Sequence, residues 1–229
     1  LNDAEFLYEG MTVAEPRHNE YREPLLTYKR AYDLYRSPWF LKFRHQYNEA
    51  FQRHVHVKPE IESQVSQLFD SEIQGRLVLS AHVKHPSHVL EQASDSIADA
   101  RDFILSIKNY LQDSGCNVAG DDWRLFLATD QESVVEEFRN EFSENIVFFK
   151  DVRRTTLVED SIYRESAIDD PGIVGHQVQH LVASDVSSWS TLMGVEILRD
   201  AIGLSRADVM FHVVSNVVTG VAVMNPKMR

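Results

Sequence analysis

A single cysteine, Cys116, is all the thiol chemistry in this chain of 229 residues. It excludes an internal disulfide and a thiolate metal cage, and it fits a reducing compartment such as the cytoplasm. Basic charge is scarce too: 23 Lys and Arg stand against 35 Asp and Glu, a formal net charge of −12 at pH 7. Broad binding to nucleic acid or to an anionic membrane needs a basic surface and is excluded on that ground. A small phosphate-bearing ligand is not, because a few cations at one site outweigh a distant, screened field. No run approaches the roughly 18 apolar residues of a membrane span. The opening stretch, LNDAEFLYEG, lacks the basic-then-apolar pattern of a secretion signal. It also lacks an initiator Met, as expected of a fragment or of a processed or trimmed chain.

Several catalytic signatures are missing as well. No G-x-G-x-x-G follows a strand, so the standard dinucleotide fingerprint is absent. GCNVAGDD (115–122) has the glycine spacing of a phosphate loop without the Lys-Ser/Thr that would hold phosphate and magnesium. No G-x-S-x-G nucleophile elbow occurs. HQVQH, from His176 to His180, has the i,i+4 spacing of a zinc site. Gln177 replaces the general-base glutamate, so the metalloprotease reading fails and two surface histidines are the simpler account. His82, His85 and His88 form a second cluster, and no carboxylate pattern beside them specifies a metal. No internal repeat or low-complexity tract is present.

What is there divides near residue 75. The first part, EPLLTYKRAYDLYRSPWFLKFRHQYNEAFQRHVHVKPEIESQVSQLF, is aromatic-rich and mixed in charge. Its apolar spacing predicts two or three helices with Pro38 and Pro59 as breaks. From residue 76 strands and helices alternate. Strands are predicted at 76–81, 123–129, 145–149 and 208–214. Helices are predicted over 94–114, from a cap at Asp130 through Phe142, over 187–202 and over 216–224. The segment 151–178 reads mainly as loop. Short apolar strands separated by helices imply an α/β domain: a Rossmann-like parallel sheet with helices on both faces, preceded by a mainly helical N-terminal segment. The expected division is 1–75 and 76–229. Such sheets bind ligands beyond the carboxyl ends of their strands. His82 with Lys84, Thr129 with Asp130, Lys150 with Asp151, and Ser215 with Asn216 should therefore converge on one crevice.

Three blocks carry a resemblance. His82-Val83-Lys84 closes the first strand; FLATDQESVVEEF spans the second strand and its helix; GVEILRDAIGLSRADVMFHVVSNVVTGVAVMNP runs from a helix through a strand into a last helix. In this order they resemble the donor-binding lobe of the GT-B fucosyltransferases, the group of α1,6-, nodulation and protein O-fucosyltransferases. The resemblance implies an inverting, metal-independent transferase that needs no cofactor. It would move fucose from GDP-fucose to a glycan or protein hydroxyl. By position it implies that His82 and Asp200 read guanine, with Asp200 accepting from N1–H and the N2 amino group.

Lys84 stands where the family has an arginine on the diphosphate. It supplies charge for the departing GDP but not the two-pronged fork of arginine. Ser215 and Asn216 open the last helix, where free N–H groups and the helix dipole favour phosphate. Thr129 and Asp130 would line the crevice, Asp130 more as a helix cap than as a catalyst. His85 and His88 would face the sugar or the acceptor, and Glu91 would serve as general base for the acceptor hydroxyl. The alternative from another class is a binding or interaction module that keeps this fold and has lost its chemistry, which the Lys-for-Arg change favours.

Overall fold

The computed structural model describes residues 38–73, 75–84, 98–156, 186–213 and 215–229. Within them six helices and four strands follow in the order α1 (Pro38–His54), α2 (Pro59–Glu72), β1 (Leu77–Val83), α3 (Ala100–Asp113), β2 (Trp123–Thr129), α4 (Glu132–Phe142), β3 (Ile146–Val147), α5 (Val186–Ser205), β4 (Val209–His212) and α6 (Asn216–Met224). The strands form one parallel sheet in the order β3-β2-β1-β4. This is the expected α/β architecture. Among the described residues no helix is long and apolar enough to cross a membrane.

The two-residue period of the strands sorts their side chains onto two faces. Leu79, Ala81 and Val83 of β1, with Trp123, Leu125 and Leu127 of β2, pack with Phe103, Ile107 and Leu111 of α3 and with Val134, Val135 and Phe138 of α4. Phe126 and Ala128 of β2 and Met210 of β4 face the other way, into a core shared with α2, α5 and α6. β2 is buried along its whole length. α2 belongs to this second core through Ile61, Val65 and Phe69, spaced so that one helical stripe meets the sheet.

Helix starts follow local chemistry. Pro38 and Pro59, expected as breaks, each occupy the first position of a helix, where a missing N–H costs nothing. Glu60 and Glu62 add negative charge to the first turn of α2, which complements the helix dipole. α3 begins at Ala100, later than the expected residue 94. The extended Asp99 accepts from the N–H groups of Arg101 (2.9 Å) and Asp102 (3.1 Å) in a reciprocal capping box, which sets the start there.

Two further expectations are corrected. β1 runs through His82 and Val83 and does not stop at Ala81, so His82 is a strand residue and Lys84 the first residue beyond it. Asp130 does not cap α4; the cap position is Gln131, with no side-chain cap bond. The reason is a bridge between Gln131 and Thr155, in which the Thr155 N–H (2.9 Å) and hydroxyl (3.2 Å) both donate to the Asp130 carbonyl. That pairing holds Gln131 extended at the cap position and delays the helix by one position. β3 and β4 are shorter than predicted, at Ile146–Val147 and Val209–His212.

α5 lies antiparallel to the strands. The Ser80 hydroxyl donates to Leu204 O (3.4 Å), and Asp208 N–H donates to Val78 O (2.8 Å), so the carboxyl end of α5 sits at the amino edge of the sheet. Gly203 makes this approach possible: a Cβ there would meet Cε2 of Phe126 at 2.9 Å, with Cζ and Cε1 closer still. On the other side, buried Arg44 of α1 donates to the carbonyls of Ala222 (3.2 Å), Asn225 (2.9 Å) and Met228 (2.9 Å), satisfying the open end of α6. Arg229 lies outside β4, donating to Asp208 O (3.0 Å) and accepting from Met210 N–H (2.8 Å), the pattern of a parallel bridge.

Gly203→Ala should destabilise the protein by about 1–3 kcal/mol through overpacking against Phe126. In urea unfolding the double variant with Phe126→Leu should be more stable than the two single losses predict together. Strict additivity would show that the ring does not set the approach of α5.

Candidate functional site

β1→β2→β3 progresses in one direction, and the chain then returns to place β4 on the far side of β1. β1 leads to α3 on one face and β4 leads to α6 on the other, so the order reverses between β1 and β4. Open parallel sheets bind ligands at such a point, beyond the carboxyl ends of the strands.

The carboxyl edge brings several expected residues together. Val83 and Thr129 are register partners. The Thr129 hydroxyl accepts from Gln131 N–H (3.3 Å), and the Gln131 side chain donates to the Lys84 carbonyl (3.2 Å). Gln131, which the sequence reading passed over, thus ties the ends of β1 and β2, and the buried Thr129 aims it. His82 is level with Ala128 on one side and His212 on the other. His212 was also missed, although its position two after Met210 gives it the same facing. Burial pushes its imidazole below the ordinary histidine value, and Nδ1 lies 3.1 Å from Val213 O. At neutral pH it is uncharged.

Asp200 reaches this edge from α5. Leu204 is level with Ser80; four residues earlier on the helix is about 6 Å nearer the carboxyl edge, two residues along a strand. That puts Asp200 roughly beside His82. Residue 200 is half-buried, but its Oδ1 is sealed from solvent and has no hydrogen-bond partner among the described residues. Burial pushes this carboxyl up to about 7; Arg154 and Arg199 act against the rise, while Glu196 and Asp130 add to it. Asp130 and Asp200 therefore feel each other's charge across the edge.

Arginines from the segment after β3, which reads mainly as loop in the sequence, complete the cluster. Arg199 makes a two-pronged pair with Asp151 (2.8 and 3.0 Å) and lies 4.6 Å from the Phe149 ring. The bond from Arg199 holds the Asp151 carboxyl below the usual range. Arg153 contacts both oxygens of Glu196 at 3.3 Å. Arg154 stacks over Phe148 at 5.0 Å, and burial lowers its own pKa. Asp151 is thus engaged in holding α5, and Lys150 is exposed.

At the exit of β4 the Ser215 hydroxyl accepts from Val218 N–H (3.1 Å), an N-cap for α6, with Asn216 exposed at its first turn. His85, His88, Glu91 and the pair His176 and His180 lie outside the described residues. A separate cavity of about 670 Å³ runs along the outer side of β4, lined by Phe103, Tyr110, Phe211, His212 and Met228 among others. Neither Lys84 nor Asp200 lines it.

The raised Asp200 carboxyl makes stability depend on pH. In the fold it keeps its proton up to about 7, whereas an unfolded aspartate loses it near 4. Its contribution therefore falls as pH rises between those values and is flat above them. Denaturant melts of Asp200→Asn should show the variant gaining roughly 2–3 kcal/mol on the wild type between pH 5 and pH 8. A constant difference across that range would show that Asp200 is ionised throughout.

No protein-family model matches this chain, and no curated protein does. Solved structures to which it is similar include the NodZ α-1,6-fucosyltransferase soaked with GDP-fucose, at 13% identity and TM-score 0.45, covering 78% of this chain and 47% of that one. The same enzyme co-crystallised with GDP is similar at 12% identity and TM-score 0.41, covering 75% and 42%. Fucosyltransferase NodZ from Bradyrhizobium is similar at 14% identity and TM-score 0.37, covering 69% and 38%. The chain spans less than half the length of these structures, and no residue role follows from likenesses of this size.

Proposed function

We propose that this chain carries the nucleotide-sugar site of an inverting glycosyltransferase that moves fucose from GDP-fucose to a glycan or protein hydroxyl. The observation that carries the reading is Asp200: a carboxyl oxygen sealed from solvent, without a partner among the described residues, at the carboxyl edge of a parallel sheet. An unsatisfied buried acceptor is costly, and a ligand that donates to it recovers that cost on binding. The N1–H and N2 amino group of guanine are two adjacent donors that fit one carboxylate. His82 borders the same base. Lys84 and the first turn of α6 take the diphosphate, and the expected unit for this is 76–229 with α1 and α2 packed on it.

In the reaction the acceptor oxygen attacks the anomeric carbon as the bond to GDP breaks, and its proton passes to Glu91 as general base. Negative charge builds on the departing diphosphate, where Lys84 and the α6 amides stabilise it. His85 and His88 face the sugar or acceptor, and Thr129 and Asp130 form the crevice wall. No metal is required in this scheme. The substitution of lysine for the family's arginine at residue 84 favours one other reading, a module that binds the nucleotide without turning over the sugar.

Calorimetry with GDP, UDP and ADP tests the site. GDP should bind tightest, and Asp200→Ala should weaken it by about tenfold or more. GDP affinity should rise about tenfold from pH 6 to pH 8 as Asp200 ionises. Asp200→Asn should lose that rise, which separates it from titration of the phosphates. Equal binding of all three nucleotides would overturn the reading. Release of GDP from GDP-fucose in the presence of acceptor then distinguishes the transferase from the binding module.

A further inference from the structure

The three arginines near α5 are not equivalent. Arg199 and Arg153 are neutralised by Asp151 and Glu196. Arg154 has no carboxylate within ion-pair distance among the described residues. Its Nη1 donates to the Val152 carbonyl (3.2 Å) and its Nη2 to the Phe149 carbonyl (2.9 Å), while the Phe148 ring supports the guanidinium plane. These contacts fix the direction of its remaining donor. That donor, Nε, is sealed from solvent and has no hydrogen-bond partner among the described residues. Asp200 is the anion that acts most strongly on Arg154, and Arg154 is the cation that acts most strongly on Asp200. Yet the two are not hydrogen-bonded to each other, and Asp200 Oδ1 is sealed and open in the same way.

A buried donor and a buried acceptor, electrostatically coupled but unjoined, suit a ligand that presents an acceptor beside a donor. A lactam edge, C=O next to N–H, has that order. Adenine has the reverse, an amino donor beside a ring-nitrogen acceptor, and would set donor against Arg154 and acceptor against Asp200. We infer that Arg154 Nε donates to O6 of the guanine whose N1–H is taken by Asp200, so that Arg154 determines base specificity. This rests on the donor site proposed above and adds a residue to it. Arg199 and Arg153 also carry a sealed nitrogen without a hydrogen-bond partner among the described residues, but each is paired with a carboxylate, and Arg154 is paired with none among those residues.

The test changes one atom of the ligand. In 6-thio-GDP, sulfur replaces O6 and accepts hydrogen bonds weakly, while N1–H and the N2 amino group are kept. By calorimetry at pH 7 the wild-type protein should bind GDP about tenfold more tightly than 6-thio-GDP. Arg154→Gln, checked for native unfolding behaviour, should bind the two within about twofold of each other. A purely structural Arg154 would lower both affinities and leave their ratio unchanged. Equal wild-type affinities, or a ratio that survives in Arg154→Gln, overturns the inference while the donor site stands. Absence of any GDP binding overturns the donor site itself, and the inference with it.

Discussion

The ring of Phe126 lies where the Cβ of any residue but glycine at position 203 would be. This contact lets α5 pack closely on the sheet, and the approach of Asp200 to the carboxyl edge depends on it. With Leu204 level with Ser80, the preceding turn of α5 is carried along the strands and delivers Asp200 beside His82. Phe126 is itself held between Phe69 of α2 and Phe149 beyond β3, at ring separations of 5.6 and 5.8 Å. α2, the sheet and the segment after β3 thus meet on a single side chain. Interiors are packed closely enough that a shift at any of these would move α5 and its carboxylate.

The same geometry explains why the charges near α5 are unevenly satisfied. Arg199 and Glu196 are one turn apart or less from Asp200, and both find partners from the segment after β3, in Asp151 and Arg153. Those ion pairs fix the rotation of α5. Asp200, on the same helix, points to the strand ends and is left without an equivalent bond. Buried charge without a partner is expensive, and the fold responds by shifting the ionisation of Asp200 and by sealing Arg154 beside backbone carbonyls.

Elements dominated by a local period were legible from residues alone. β2, buried from Trp123 to Thr129, is as apolar as a central parallel strand must be. The apolar face of α3 and the strand-helix alternation were equally plain. Boundaries were not. Asp130 has the chemistry of a helix cap, but Thr155, twenty-five positions later, takes its carbonyl, and the extended cap position falls on Gln131. Asp99, by contrast, caps α3 through bonds within three residues, and nothing distant competes.

Among the candidate site residues, Lys84 and Asp130 were read from the strand ends and Asp200 from the resemblance of its block, while Gln131, Arg154 and His212 were passed over. Gln131 meets Lys84 and His212 meets His82 across tens of residues, which no local spacing reveals. The chain's own pattern determined the class of fold and the edge at which polar side chains gather, because period and strand character are properties of neighbouring residues. Which carboxylate stays without a partner, and which arginine is left to face it, was decided only when α5 was laid across Phe126, because hydrogen-bond satisfaction is a property of the packed molecule.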